Sequence, residues 1–212
     1  MKSQFARAPR QYRRVVARRL RVQASDVVFH VASRGVEKRP IFDVARHDRD
    51  YFLSLFDRVV RRFEWHCLAY CLMGNHFHLV LETPKANLAD GMQLLKGDYA
   101  QWFNAVNARE GTLFERRYWS DVIAGERRAH ALARYVSLNP VRAGLVRFPE
   151  EWPWSSYAAT VGLVRAPAFL HVDGMLDWFG GGRRGRLSFA QFVGEELPLS
   201  RRLASERVMS GV

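Results

Sequence analysis

Two histidines on either side of one bulky apolar residue, His76-Phe77-His78, are the residues whose types and spacing most directly suggest chemistry. Successive side chains of an extended strand point to opposite faces, so both imidazoles project one way while Phe77 is buried the other way. Two imidazoles on one face of a strand can hold a divalent metal, and a buried phenylalanine between them stiffens their presentation. Further along, Tyr135 and Asn139 stand four apart in a segment of helical periodicity, on one helical face. An asparagine carbonyl is a suitable third ligand for a hard cation such as Mg²⁺ or Mn²⁺. Arg134 adjoins the tyrosine, and Arg127 and Arg128 precede it.

Such a set predicts phosphodiester cleavage. A divalent ion held by His76, His78 and Asn139 would polarise a non-bridging phosphate oxygen. Tyr135 would attack phosphorus as the phenolate and become attached to DNA. A free tyrosine ionises near ~10, so a base must take the proton, and the sequence does not name it. The tyrosyl bond stays at the phosphodiester level, so a free 3′-OH can reverse it without ATP. Each piece has a plainer reading. His-x-His arises by chance, Tyr135 fits a half-buried packing position, and Asn139 fits a helix terminator before Pro140. Their coincidence with a basic chain favours the site. His30, on the first strand, is expected to be structural or to support a ligand from behind, not to be one.

The chain has 212 residues, 48% hydrophobic and 13% aromatic, which suits one folded domain with appendages and excludes a largely disordered chain. No apolar stretch approaches the ~20 residues that span a bilayer. The N-terminus lacks the apolar core of a secretory signal, so a cytoplasmic, nucleoid-associated protein with no membrane partner is expected. Cys67 and Cys71, four apart in a strand, are expected on one face as reduced, half-buried thiols. The net charge of +12 points to a polyanion, nucleic acid first. Residues 1–22 hold Lys2, Arg7, Arg10, Arg13, Arg14, Arg18, Arg19 and Arg21 and no acid, as in arms that grip a nucleic-acid backbone.

The elements that must position these residues follow from periodicity. Residues 26–32 read as a strand, and 47–63 as a helix with a stripe of Phe52, Leu55, Phe56, Val59, Val60 and Phe63. Residues 65–72 and 76–83 read as strands joined through Gly74-Asn75. A second helix follows Asn87, a candidate N-cap, with a stripe of Leu88, Met92, Leu95, Tyr99 and Phe103 weakened by Gly91 and Gly97. Residues 118–124 read as a fourth strand and 126–139 as a third helix. The order β-α-β-β-α-β predicts an α+β, ferredoxin-like split βαβ core: an antiparallel sheet with helices on one face and the histidine strand in the centre. Residues 1–22 form the arm, 23–145 the catalytic domain, and 146–212 a helical and loop extension packing on the core through Trp152-Pro153-Trp154. The run from Gly180 to Arg186 reads as a flexible basic loop.

The motifs together resemble the REP-associated tyrosine transposases, a branch of the single-tyrosine HUH transposases and nucleases. The resemblance rests on Phe29-His30-Val31 with Ser33-Arg34-Gly35, on residues 72–80 around Asn75-His76-Phe77-His78, and on 111–118, ending Phe114-Glu115-Arg116-Arg117-Tyr118. It continues through 133–144, with Tyr135 and Asn139-Pro140, and through 152–157, beginning Trp152-Pro153-Trp154. It implies that His76 and His78 are the metal-binding pair, that Asn139 takes the amide ligand's place, and that Tyr135 is the nucleophile. It further implies a single-stranded DNA endonuclease and strand transferase acting on hairpin-forming palindromic repeats. A 5′-phosphotyrosine and a free 3′-OH would result, with Mg²⁺ or Mn²⁺ as cofactor. Arg34, Arg116, Arg117, Arg134 and Arg142 would join the arm in holding DNA. Gly74 stands where proline is common, and Glu115 where glutamine is common, which puts a negative charge near the expected DNA path. Family members act as monomers or as homodimers that exchange the tyrosine helix. Two alternatives remain in view: a hairpin-DNA-binding protein with little cleavage, and an RNA-binding ferredoxin-like domain.

Overall fold

The computed structural model describes residues 25–42 and 47–197. Four strands, β1 (Val27–Arg34), β2 (His66–Leu72), β3 (His76–Thr83) and β4 (Trp119–Val122), form one antiparallel sheet in the order β2-β3-β1-β4. α1 (Asp48–Phe63) crosses from β1 to β2, and β3 inserts between those two strands, antiparallel to both. This is the split βαβ core that the element order predicts. α2 (Leu88–Val106) returns the chain to β4 beside β1.

α1 and α2 share one face of the sheet, as expected. The stripes Phe52, Leu55, Phe56, Val59 and Val60 on α1 and Leu88, Met92, Leu95, Tyr99 and Phe103 on α2 are buried against Phe29, Val31, Phe77, Leu79 and Leu81. Gly91 does not interrupt α2, because Trp65 occupies the space a side chain would need. A Cβ there would lie 2.2 Å from the indole. Asn87 takes the N-cap position but spends its amide elsewhere: Oδ1 accepts from Trp65 Nε1 at 2.7 Å, and Nδ2 donates to the Phe63 carbonyl at 2.9 Å.

The opposite face is covered by α3 (Glu126–Arg142) and by three short elements, α4 (Tyr157–Thr160), α5 (Val172–Asp177) and α6 (Gly182–Gly194). Trp152 Nε1 donates to the Leu72 carbonyl at 3.0 Å, and the Leu72 amide donates to the Trp154 carbonyl at 2.9 Å, which lays this segment along the edge strand β2.

Three local expectations are corrected. α3 does not stop at Asn139 but runs through Pro140 to Arg142; the proline costs one backbone donor, and the helix ends instead near Gly144, whose φ is +71°. Residues 182–186 are not a flexible loop but the first turns of α6. Their glycines serve a bend at positive φ and a close approach, since a Cβ on Gly185 would meet the Leu176 carbonyl at 2.6 Å. Cys67 and Cys71 are free and fully buried, on opposite faces, because a β-bulge between Cys67 and Ala69 shifts the alternation by one residue.

Candidate active site

The register of β1 on β3 places Ala32 opposite His78 and Arg34 opposite His76. His30, Ala32 and Arg34 therefore share the α3 face with His76 and His78. Behind them Phe77 is fully buried against Phe52, with ring centroids 5.0 Å apart. The anchor expected of Phe77 is in place.

His78 is buried, and its Nδ1 lies 3.0 Å from His30 Nε2. Burial holds both rings well below the usual imidazole range, to about 3 for His78 and about 4 for His30, so both are neutral. One hydrogen lies between the two nitrogens. With His78 Nδ1 as donor, its Nε2 is a bare lone pair. That atom is buried and has no protein partner. A protonated Nε2 would be an orphaned donor, whereas a lone pair aimed at the cleft suits a cation.

His76 is fixed from a different direction. Its Nδ1 lies 2.7 Å from Asn75 Oδ1, and Asn75 Nδ2 donates to the Lys38 carbonyl at 2.9 Å. An amide oxygen can only accept, so Nδ1 carries the hydrogen and Nε2 presents a lone pair. Burial lowers the His76 pKa, and the charge of Arg34 works in the same direction, against a hydrogen bond with Asn139. Asn139 thus meets His76 side chain to side chain. One turn earlier on α3, Tyr135 stands edge-on to His78 at 5.2 Å and to His30 at 6.0 Å between centroids. Its ring is 38% exposed, open to a cleft of about 550 Å³ lined also by Arg34, His76, His78, Arg116 and Trp119. Two imidazole lone pairs, one unpartnered and one beside the Asn139 amide, make a donor set that fits a divalent ion.

The expected arginines divide. Arg34 lines the cleft and grips Glu115, with Nε and Nη2 at 3.2 and 2.9 Å from one carboxylate oxygen. Arg116 lines the cleft too, and Arg117 an adjoining pocket. Arg142 faces Tyr135, its guanidinium carbon 5.5 Å from the ring centroid, while paired with Glu196. Arg134 is turned away from the cleft. It pairs with Glu195 at 2.8 Å and lies 3.6 Å over the Phe192 ring, joining α3 to α6. Arg7, Arg10, Arg13, Arg14, Arg18 and Arg19 lie outside the described residues.

Two residues of the site carried no assigned role in the sequence. Asn75 sits inside the motif but shows its part only through the Lys38 carbonyl. Trp119 is 53% exposed on β4, edge-on to His30 at 5.1 Å. A tryptophan on the outward face of an edge strand is the one signal that could have marked it.

Residues 23–139 match the family model described as "Transposase IS200 like". The chain belongs to the IS200-like transposase family. The chain is also similar to a Haemophilus influenzae protein named "Putative REP-associated tyrosine transposase". It is 25% identical over an alignment of 117 positions that covers 50% of this chain and 66% of that one, just under two thirds of its length. A solved structure titled "Structure of the REP associates tyrosine transposase bound to a REP hairpin" superposes with a TM-score of 0.58 at 15% identity. The overlap covers 72% of this chain and 90% of the other. That likeness shows the α+β fold, and the resemblance read from the motifs agrees with the family model. No helix among the described residues is long and apolar enough to cross a membrane.

Proposed function

We propose that this IS200-like transposase is a metal-dependent endonuclease and strand transferase acting on single-stranded DNA that carries a palindromic hairpin. The observation that carries the reading is the buried, unpartnered Nε2 of His78 beneath the ring of Tyr135, with Asn139 bonded to His76. His76, His78 and Asn139 would hold Mg²⁺ or Mn²⁺, and the ion would supply charge to a non-bridging phosphate oxygen. The relative named as REP-associated and the solved structure bound to a REP hairpin support the same substrate class.

The chain's own residues do the rest. His30 locks the tautomer of His78, and Asn75 that of His76, so both rings meet a cation without reorganising. Tyr135 lies where its phenol reaches the cleft. Its oxygen forms a bond to phosphorus as the bond from phosphorus to the 3′ oxygen breaks. The phenolic proton leaves to a base, and the departing oxygen is protonated to a free 3′-OH. The 5′-phosphotyrosine stays on α3, and attack by a 3′-OH reverses the step.

The test is a labelled hairpin oligonucleotide incubated with the protein and Mn²⁺. A covalent protein–DNA adduct is expected. Tyr135→Phe lowers its yield by on the order of 10³-fold or more, since it removes the nucleophile and keeps the ring. Adducts that persist in Tyr135→Phe overturn the assignment. Tight, salt-sensitive hairpin binding with no adduct at all identifies a binding protein instead.

A further inference from the structure

At the other end of β3 a second set of metal-ligating side chains comes together. His66 opens β2, Glu82 nears the end of β3 and is its direct cross-strand partner, and His171 precedes α5. Their ligand atoms all lie within 4.8 Å of one another. His66 Nδ1 is 2.9 Å from Glu82 Oε2, and the rings of His66 and His171 stand 4.9 Å apart between centroids. Glu82 is four residues beyond His78 on the same face, about 13 Å along the strand at ~3.3 Å per residue, so the two sets cannot share an ion.

We propose that His66, Glu82 and His171 bind a zinc-class divalent cation that ties the C-terminal extension to the sheet. Two imidazoles and a carboxylate match zinc or a neighbouring transition metal, with water completing the shell, and favour it over Mg²⁺ or Ca²⁺. The local structure is built around this meeting. The β-bulge after Cys67 lets His66 share the Glu82 face while Tyr70 and Leu72 still enter the aromatic core. The His171 amide donates to the Cys67 carbonyl at 2.7 Å, which holds the third ligand beside the first. Gly174 then makes room for the ring, because a Cβ there would lie 2.7 Å from His171 Nδ1 and 2.8 Å from Leu68. Three ligands from β2, β3 and the extension would make the ion a clasp across segments about a hundred residues apart in sequence. The proposal does not rest on the catalytic reading above.

The experiment uses the full chain with His76→Ala and Asn139→Ala, which strip the cleft of two donors and leave buried His78 in place. Calorimetric titration with Zn²⁺ and metal analysis after dialysis should give one ion per chain. Adding His171→Ala or, separately, Glu82→Gln should remove it; both side chains lie at the surface, and circular dichroism checks the fold. Zn²⁺ at a hundredfold excess over its Kd should raise Tm by roughly 5 to 10 °C, and Mn²⁺ or Mg²⁺ at the same concentration should raise it less. Absence of bound zinc in the His76→Ala/Asn139→Ala protein, or zinc retained after both His171→Ala and Glu82→Gln, overturns the proposal and identifies His66 and Glu82 as an ordinary cross-strand pair.

Discussion

β3 presents Phe77, Leu79 and Leu81 to one face of the sheet, where α1 and α2 enclose them in a layer of aromatic rings: Phe42, Phe52, Phe56, Tyr99 and Phe103. To the other face it presents His76, His78 and Glu82, where α3 leaves a cleft. Both faces bury side chains, but they use burial differently. On the α1/α2 face it stabilises. On the α3 face it strips water from imidazoles and keeps them neutral, a cost the first face offsets by holding the strand rigid. The polar face is therefore preorganised because the apolar one is not negotiable.

Phe77→Ala tests that dependence with the largest expected effect. Deleting a fully buried ring should lower stability by about 3–5 kcal/mol, measured by denaturant unfolding. Mn²⁺ affinity should fall as well, although no ligand is touched. A folded Phe77→Ala protein with unchanged metal binding would break the link between the faces. Next is His30→Ala, which acts on the polar face alone. Without the 3.0 Å contact His78 can turn and change tautomer, so Mn²⁺ affinity should drop by about 10–100-fold, or about 1.4–2.8 kcal/mol by titration calorimetry. An unaltered affinity would mean that His30 only packs.

The two thiols sharpen the comparison because the bulge puts one on each face. Burial raises the pKa of Cys71 to about 12 and that of Cys67 further still. In the unfolded chain both ionise near their ordinary value. Above about pH 9 the unfolded state therefore releases protons that the folded state keeps, and stability falls as pH rises. The slope approaches about 1.4 kcal/mol per pH unit for each thiol. Tyr70 and Tyr157, also pushed up by burial, add to it at higher pH, so the measurement is the difference between variants. Cys67→Ala and Cys71→Ala should each flatten the profile. Equal flattening means that β2 is equally dry on both faces; a smaller effect for Cys71→Ala means that water reaches it from the α3 side.

These faces also explain what the sequence could show. The stripes of α1 and α2 and the alternation along β3 are single-element patterns, so Phe77 inward and His76 and His78 outward are legible from spacing alone. Tyr135 and Asn139 are legible as a same-face pair, but that the pair lands on the His pair depends on α3 crossing the sheet, which only the family motifs implied. The misses have one origin. The bulge at Cys67, the passage of α3 through Pro140 and the helical start of α6 are each decided by a distant partner: β3, the sheet under α3, and the Leu176 carbonyl beneath Gly185. Local propensity contains none of these. Asn75 shows the same limit, since its hold on His76 requires the Lys38 carbonyl from another loop.

The smallest expected effect lies at the rim of the polar face. Glu115 brings a negative charge close to the expected DNA path, but the structure places that charge on Arg34, whose guanidinium pulls the Glu115 carboxyl below its usual range. Arg34 is directly opposite His76, so a phosphate entering the cleft competes with Glu115 for the same guanidinium. Glu115→Gln removes the competitor. Hairpin affinity should rise a few-fold, and the dependence of log K on log salt should steepen by somewhat less than one. Arg34→Ala should do the reverse, with weaker binding and a shallower slope. If neither variant moves the slope, Arg34 belongs to the scaffold with Arg134, and the cationic lining of the cleft reduces to Arg116.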